Sequence, residues 1–209
     1  MKKKVFFYFF LINTFFLDAQ NFDLLNIFSD AQIKLANTAI TENYLTDEEK
    51  NIFLLLNLAR MYPKLFTQII VKYKGIVNYE NDFLKNKKYV KSLLSELSII
   101  KPAKALFPSK YLFELAQCHA INSGKRGKVG HNRIGCDLLS SDESECCAYG
   151  LEHAKDIVIQ LLIDHQVKDL GHRRIMLDSN QINLGVSIQP HKNYKFNAVL
   201  NFSLKIIDE

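Results

Sequence analysis

The chain has 209 residues, a formal net charge of +5 and no tryptophan, and its lysines are scattered rather than gathered into a stripe. Part of that charge lies in the first four residues, and no basic run alternates with aromatics, which excludes nucleic acid as the expected partner. The length suits one domain with a proper core.

Lys2-Lys3-Lys4 precedes an apolar, Phe-rich run over residues 5–17 that only Asn13 and Thr14 interrupt, and Ala19 offers a small residue before a cut. That pattern predicts an export signal over residues 1–19, with Gln20 opening the mature chain. The run falls short of the roughly 20 residues that span a bilayer. No second long apolar run follows it, so no membrane span is expected after cleavage. The expected location is outside the cytoplasm, secreted or periplasmic.

Residues 20–46 form a mixed leader without a clear period, suited to a short helix or to a linker. Thr46 and Glu49 have the form of a capping box that opens a helix. Pro63 should kink or restart it after Tyr62, with a second helical piece to about Tyr73. Residues 75–82 read as a loop, and 83–97 as a lysine-rich helix with a solvated face. Pro102 and Pro108 punctuate the chain, and Pro108 suits the first turn of the next helix. In that helix Leu112, Leu115, Ala116, His119 and Ala120 make one apolar stripe. A histidine on such a stripe reads as a hydrogen-bonded core residue before it reads as a ligand. Gly124, Gly127 and Gly130 end the helix and lead to His131.

Residues 132–150 read as a turn-rich connection. The following helix carries Ala154, Ile157, Val158, Leu161 and Leu162 on its apolar stripe and ends at Asp164. A carboxylate there opposes the helix dipole, so a cation or a hydrogen-bond donor is expected to meet it. After His172 the period changes. Residues 182–188 and 195–204 alternate, with a turn around 190–193, and predict a terminal antiparallel hairpin. Helices first and strands last predict one α+β layered domain.

Four cysteines in an exported chain raise the expectation of disulfides. Cys136 and the Cys146–Cys147 pair flank the same short connection, so a bridge from Cys136 to Cys146 or Cys147 is expected. The adjacent pair is poorly placed to bond to itself. Cys118, within a helical pattern, fits a buried free thiol. No paired C-x-x-C zinc set is present.

Two Gly-His pairs, Gly130-His131 and Gly171-His172, combine a permissive backbone with a metal-ligating or proton-carrying ring. The plainer reading makes both of them loop histidines. Their order relative to other pieces decides between the two. Asn57-Leu58-Ala59-Arg60, Ala116 with His119 and Ala120, Gly130-His131, Glu145 through Gly150, the run ending at Asp164, Gly171-His172-Arg173 and the closing strand pair stand in register. Together they resemble a CAP-superfamily domain in a bacterial form, the SCP/TAPS group of cysteine-rich secretory, antigen 5 and pathogenesis-related 1 proteins. The resemblance covers roughly residues 48–205, within a domain drawn at 47–207.

The resemblance implies an α–β–α sandwich with a central antiparallel sheet and an open cleft. That cleft holds two histidines and two acids, often with zinc or another divalent ion. His131 and His172 match the two histidine positions and would bind the metal; Glu145 matches the first acid and Asp164 the second. This chain departs from the pattern in reading Ser144-Glu145-Cys146 where the family has Gly-Glu-Asn, and in carrying aspartate as its second acid. The stretch from His131 to Glu145 is also shorter than in many relatives.

Two neutral imidazoles suit zinc outside the cell and leave positions for water or a ligand, while carboxylates can orient the rings as acceptors. The resemblance implies a non-catalytic exported module that binds a small lipid-like ligand or an extracellular protein. One alternative is a metal-dependent hydrolase or peptidase with Glu145 as base on metal-bound water, although no H-E-x-x-H helix is present. Another is a Cys–His hydrolase using Cys146 or Cys147, which an oxidising compartment disfavours.

Overall fold

The computed structural model of the protein describes residues 26–75 and 82–207. The predicted export signal lies outside them. The chain runs α1 (Asp30–Ala36), α2 (Asp47–Met61), α3 (Pro63–Lys72), α4 (Asp82–Lys85), α5 (Lys87–Ile99), β1 (Phe107–Pro108), α6 (Lys110–Arg126), β2 (Glu143–Tyr149), α7 (Ala154–Ile163), α8 (Gly171–Leu177), β3 (Asn183–His191) and β4 (Lys195–Ser203). The fold is α+β, as the order of periods predicts.

Local chemistry sets the helix ends. The Thr46 hydroxyl accepts from Glu49 N at 3.3 Å, and the Glu49 carboxylate accepts from Thr46 N at 2.8 Å. The other Glu49 oxygen accepts from Ile188 N at 2.8 Å, so the same box also fastens α2 to β3. Pro63 takes the first turn of α3, where its missing N–H leaves no bond unmade. Within the leader, Ser29 and Gln32 form a second capping box that opens α1, and Phe28, Ala36, Ala39 and Leu45 join the core. From residue 26 onward the leader therefore packs against the core, opening as a helix, and does not trail as a linker.

The sheet order is β1-β3-β4-β2. β3 and β4 form the expected hairpin, with Asn183 opposite Ser203 and Ile188 opposite Ala198. β2 pairs antiparallel with β4, whereas β1 runs parallel to β3 and makes the sheet mixed. Pro108 lies in β1 and not in the first turn of α6, which Ser109 caps instead by accepting from Leu112 N at 3.3 Å. An edge strand tolerates proline because one side of its ladder is open.

Side-chain alternation sorts the two faces. Leu184 and Val186 of β3, Ala198, Leu200 and Phe202 of β4, and Cys146 and Ala148 of β2 enter the main core with α2, α3, α5 and α7. The opposite face carries small or polar residues: Cys147 and Val199 pack with Ala116 and Ala120 of α6, and Asn197 donates to Ala120 O at 3.2 Å. Such a face lets the helix come close. A Cβ on Gly185 would lie 2.1 Å from the Leu112 carbonyl carbon, so only glycine fits there. Both predicted stripes, on α6 and α7, are buried against the sheet in this way.

A buried arginine positions α8. Arg60 of α2 donates to the carbonyls of Lys104, Met176, Asp178 and Gln181, which ties α2 to the segment joining α8 and β3. Burial pushes its guanidinium pKa down to about 10, so it stays charged at neutral pH. Among the described residues no helix is long and apolar enough to cross a membrane.

Candidate functional site

The first histidine arrives on the turn after α6. Gly127 closes that helix in the left-handed region at φ 64°, and the chain doubles back along it. Gly130, at φ 90°, donates its N–H to the Tyr149 hydroxyl at 2.8 Å, and its carbonyl meets His119 Nε2 at 3.0 Å. His131 follows, with Nδ1 2.9 Å from Glu145 Oε1. The other Glu145 oxygen is held by Arg133 Nη1. Arg133 in turn donates to Leu115 O at 2.6 Å and Asp137 O at 2.8 Å. The His131 imidazole pKa is raised, chiefly by its hydrogen bond to Glu145 and against the opposing effect of burial.

The second histidine is held by a strained turn. Asp164, Gln166 and Leu170 all have positive φ, at 56°, 65° and 52°. Each such residue costs on the order of 1 kcal/mol when it is not glycine. The strain aims the Asp164 carboxylate back across the turn: Oδ1 meets His172 Nδ1 at 2.7 Å and Oδ2 accepts from Arg173 N at 3.2 Å. These are the donors that the dipole argument requires. Arg173 fixes the turn from beneath, as its guanidinium donates to the carbonyls of Leu162, Ile163 and Tyr89, to Ser92 Oγ and to Glu96.

Each of the two histidines therefore meets one of the two acids, His131 with Glu145 and His172 with Asp164, and both contacts are made through Nδ1. A carboxylate only accepts, so each neutral ring carries its proton on Nδ1 and presents a bare Nε2. His131 is half exposed and His172 less so, with side-chain exposures of 58 % and 22 %; their acids are buried.

A cleft of about 320 Å³ opens at the free edge of β2, lined by Cys147, Tyr149, Gln160, Asp164 and His172 among others. His131 and Glu145 do not line it. They adjoin it through Cys147, whose Sγ lies 3.9 Å from His131 Nδ1. The four residues thus stand as two pairs, His131 with Glu145 and His172 with Asp164, of which the second lines the cleft.

Three buried residues, His119, Glu145 and Cys147, place one ligand-type atom each within 4.8 Å of the others, a group that could hold a metal ion. His119 is a hydrogen-bonded core histidine, as its stripe predicts, and it is also part of this group. Arg133 and Tyr149 were not legible as site residues. The only signal each carried was adjacency, Arg133 to His131 and Tyr149 to the Glu145 segment.

The cysteine pairing differs from the expectation. Cys118 bonds Cys136, with Cα atoms 5.9 Å apart, while Cys146 and Cys147 are free and buried. No bridge from Cys136 to Cys146 or Cys147 forms: the Cys136 sulfur is bonded to Cys118, and the two β2 thiols are buried, Cys146 in the main core and Cys147 against α6. The turn at Gly127 instead folds the 131–137 segment back onto α6, beside Cys118. The bridge pins the loop that carries His131 and Arg133. Burial pushes both free thiols well above their ordinary pKa, and the Glu145 carboxylate adds to this at Cys147.

No family model matches the chain, and no curated protein matches it. Among solved structures, an outer surface protein from Borrelia burgdorferi is similar at 17 % identity and a TM-score of 0.38, the match covering 62 % of this chain and 97 % of that one.

Proposed function

We propose that the protein is an exported CAP-like domain whose cleft binds a small lipid-like ligand without transforming it, beside a divalent ion held by His131 and His172. The observation that carries this reading is the pair of Nδ1–carboxylate bonds, which leave Nε2 of each neutral ring as its unprotonated, ligand-type nitrogen. Zinc bound there would supply Lewis acidity and a point of attachment for an anionic headgroup. Phe83, Leu161 and Val167 give the cleft apolar lining, and Gln160 and His172 give it polar lining, which suits an amphipathic ligand. An extracellular protein could present the same chemistry through a lipid-modified or amphipathic segment.

The hydrolase readings are less well supported. Both acids are committed to orienting rings and backbone, so neither is spare as a base on water. A thiol pushed well above its ordinary pKa is neutral at pH 7 and a poor nucleophile, which weighs against Cys146 or Cys147 in a Cys–His mechanism.

Two measurements test the reading. A fluorescent fatty-acid analogue should bind saturably to the mature protein, and Gln160→Trp, which fills the cleft, should weaken it at least about tenfold. Non-saturable binding, or full affinity in the filled variant, overturns the lipid-binding role. For the ion, zinc at about 100 times its dissociation constant should add roughly 2.7 kcal/mol of stability. That is a rise of about 5–10 °C in Tm for a domain of this size. Measured in a Cys147→Ser background, which removes the buried thiol from competition, the rise should vanish in the His131→Ala/His172→Ala double variant. An undiminished rise in that variant places the ion elsewhere.

A further inference from the structure

The α6 face of β2 holds a second set of metal-type donors. Strand alternation sends Cys146 and Ala148 into the main core and leaves Glu145, Cys147 and Tyr149 on the side of α6. The α6 stripe sets His119 against them. The three residues are 1 %, 8 % and 8 % exposed for His119, Glu145 and Cys147, and a ring nitrogen, a carboxylate oxygen and the sulfur lie within 4.8 Å of one another. Donors about 2.0–2.3 Å from a tetrahedral ion stand roughly 3.3–3.7 Å from each other. Closing the group on an ion therefore needs side-chain movements on the order of an ångström, without any change in the helix or the strand.

A second observation concerns the His119 ring, whose Nε2 stands 3.7 Å from Glu145 Oε1. His119 Nε2 faces the Gly130 carbonyl at 3.0 Å, a group that only accepts, so Nε2 carries the ring proton. Nδ1 is then a bare lone pair, fully buried and without a hydrogen-bond partner among the described residues. Buried acceptors of that kind are rare in native proteins, and a cation satisfies one. The neighbouring groups fit an ion as well. One Glu145 oxygen stays with Arg133; the other, which meets His131 Nδ1, has a second lone pair with which to coordinate. His131 Nδ1 lies 3.9 Å from the sulfur.

We propose that His119, Glu145 and Cys147 form a buried site for one thiophilic transition-metal ion, distinct from one held by Nε2 of His131 and His172. Imidazole and thiolate together select zinc, cobalt(II) or copper(I) over magnesium and calcium. On binding, the Cys147 S–H bond gives way to a metal–sulfur bond, and one proton leaves to solvent for each ion taken up. No electron moves. Two buried free thiols in a chain that also makes a disulfide fit this division of labour: Cys146 fills the core and Cys147 serves the ion.

The test is cobalt(II) titration of the disulfide-intact mature protein. One equivalent should produce a sulfur-to-cobalt charge-transfer band in the near ultraviolet, which zinc then abolishes. Cys147→Ser should lose the band, and Cys146→Ser, whose side chain points to the other face, should keep it. A folded parent protein that binds cobalt with d–d absorption but no sulfur band overturns the buried site while leaving the His131–His172 reading intact. A band that survives Cys147→Ser also overturns it. Cadmium-113 NMR of the parent protein guards against a Cys147→Ser variant that does not fold: a thiolate ligand moves the resonance well downfield of an all-nitrogen-and-oxygen site, and a resonance at the latter position refutes the proposal without any substitution.

Discussion

Glu145→Ala is expected to lower the stability of the protein by about 3–5 kcal/mol, a fall in Tm of roughly 6–20 °C for a domain of this size. The reason lies less in the lost carboxylate than in the guanidinium it leaves behind. Arg133 and Glu145 are both buried, and the other Arg133 partners are neutral carbonyls, those of Leu115 and Asp137. Without Glu145 a full positive charge stays in a low-dielectric interior with only dipoles around it. Glu145→Gln keeps the shape and one acceptor, and should cost less than alanine. Adding Arg133→Met to Glu145→Gln should recover part of the loss, because that change removes the stranded charge itself. Calorimetry of the four proteins decides the matter: a Glu145→Ala loss below about 1 kcal/mol, the range of an exposed ion pair, shows that the pair is not buried in solution. The loop bearing His131 rides on this pair and on the Cys118–Cys136 bridge, so the same variant should also loosen that loop.

Those features announced by local chemistry were legible in the sequence. The Thr46–Glu49 box, the break at Pro63, the α6 and α7 stripes and the closing hairpin all follow from side chains acting on their own backbone or on one face. Asp164 belongs with them. A carboxylate at a helix C-terminus is an anomaly that needs a donor, and His172 and the Arg173 amide supply it. What stayed hidden depended on long-range packing. The segment Glu143–Tyr149 gives no alternation because both of its faces are covered, one by the main core and one by α6, and it has no β-branched residue to mark it as a strand. The pairing of Cys118 with Cys136 depended on a left-handed turn at Gly127 that brings together residues 18 apart in sequence, and nearness in sequence pointed to the wrong partner. Ser29 and Gln32 did carry a readable box, but the helix they open is only two turns long and shows no period of its own.

Arg173→Met is expected to cost about 3–5 kcal/mol, while Arg174→Ala, one residue away, is expected to stay within about 0.5 kcal/mol of the parent. The two arginines differ in what surrounds them. Arg174 makes an ion pair with Asp169 in which both side chains are about two-thirds exposed, a pairing that water and salt replace at little cost. Arg173 is fully buried and spreads its donors over Leu162 O, Ile163 O, Tyr89 O, Ser92 and Glu96. Leu162 and Ile163 are in the last turn of α7, where carbonyls have no partner within the helix. Methionine fills the volume but leaves those oxygens buried and unpaired. Arg173→Lys should rescue little, since three donors on one flexible ammonium cannot reach sites that a planar fork serves. The loss should also have a local signature. With the base of the turn released, the strained 164–170 segment should exchange its amide hydrogens faster, and the His172–Asp164 bond should loosen before the domain unfolds. Hydrogen exchange compared across the three variants reads this directly. Equal stability and equal protection of that segment in the Arg173→Met and Arg174→Ala proteins would rule out the clamp.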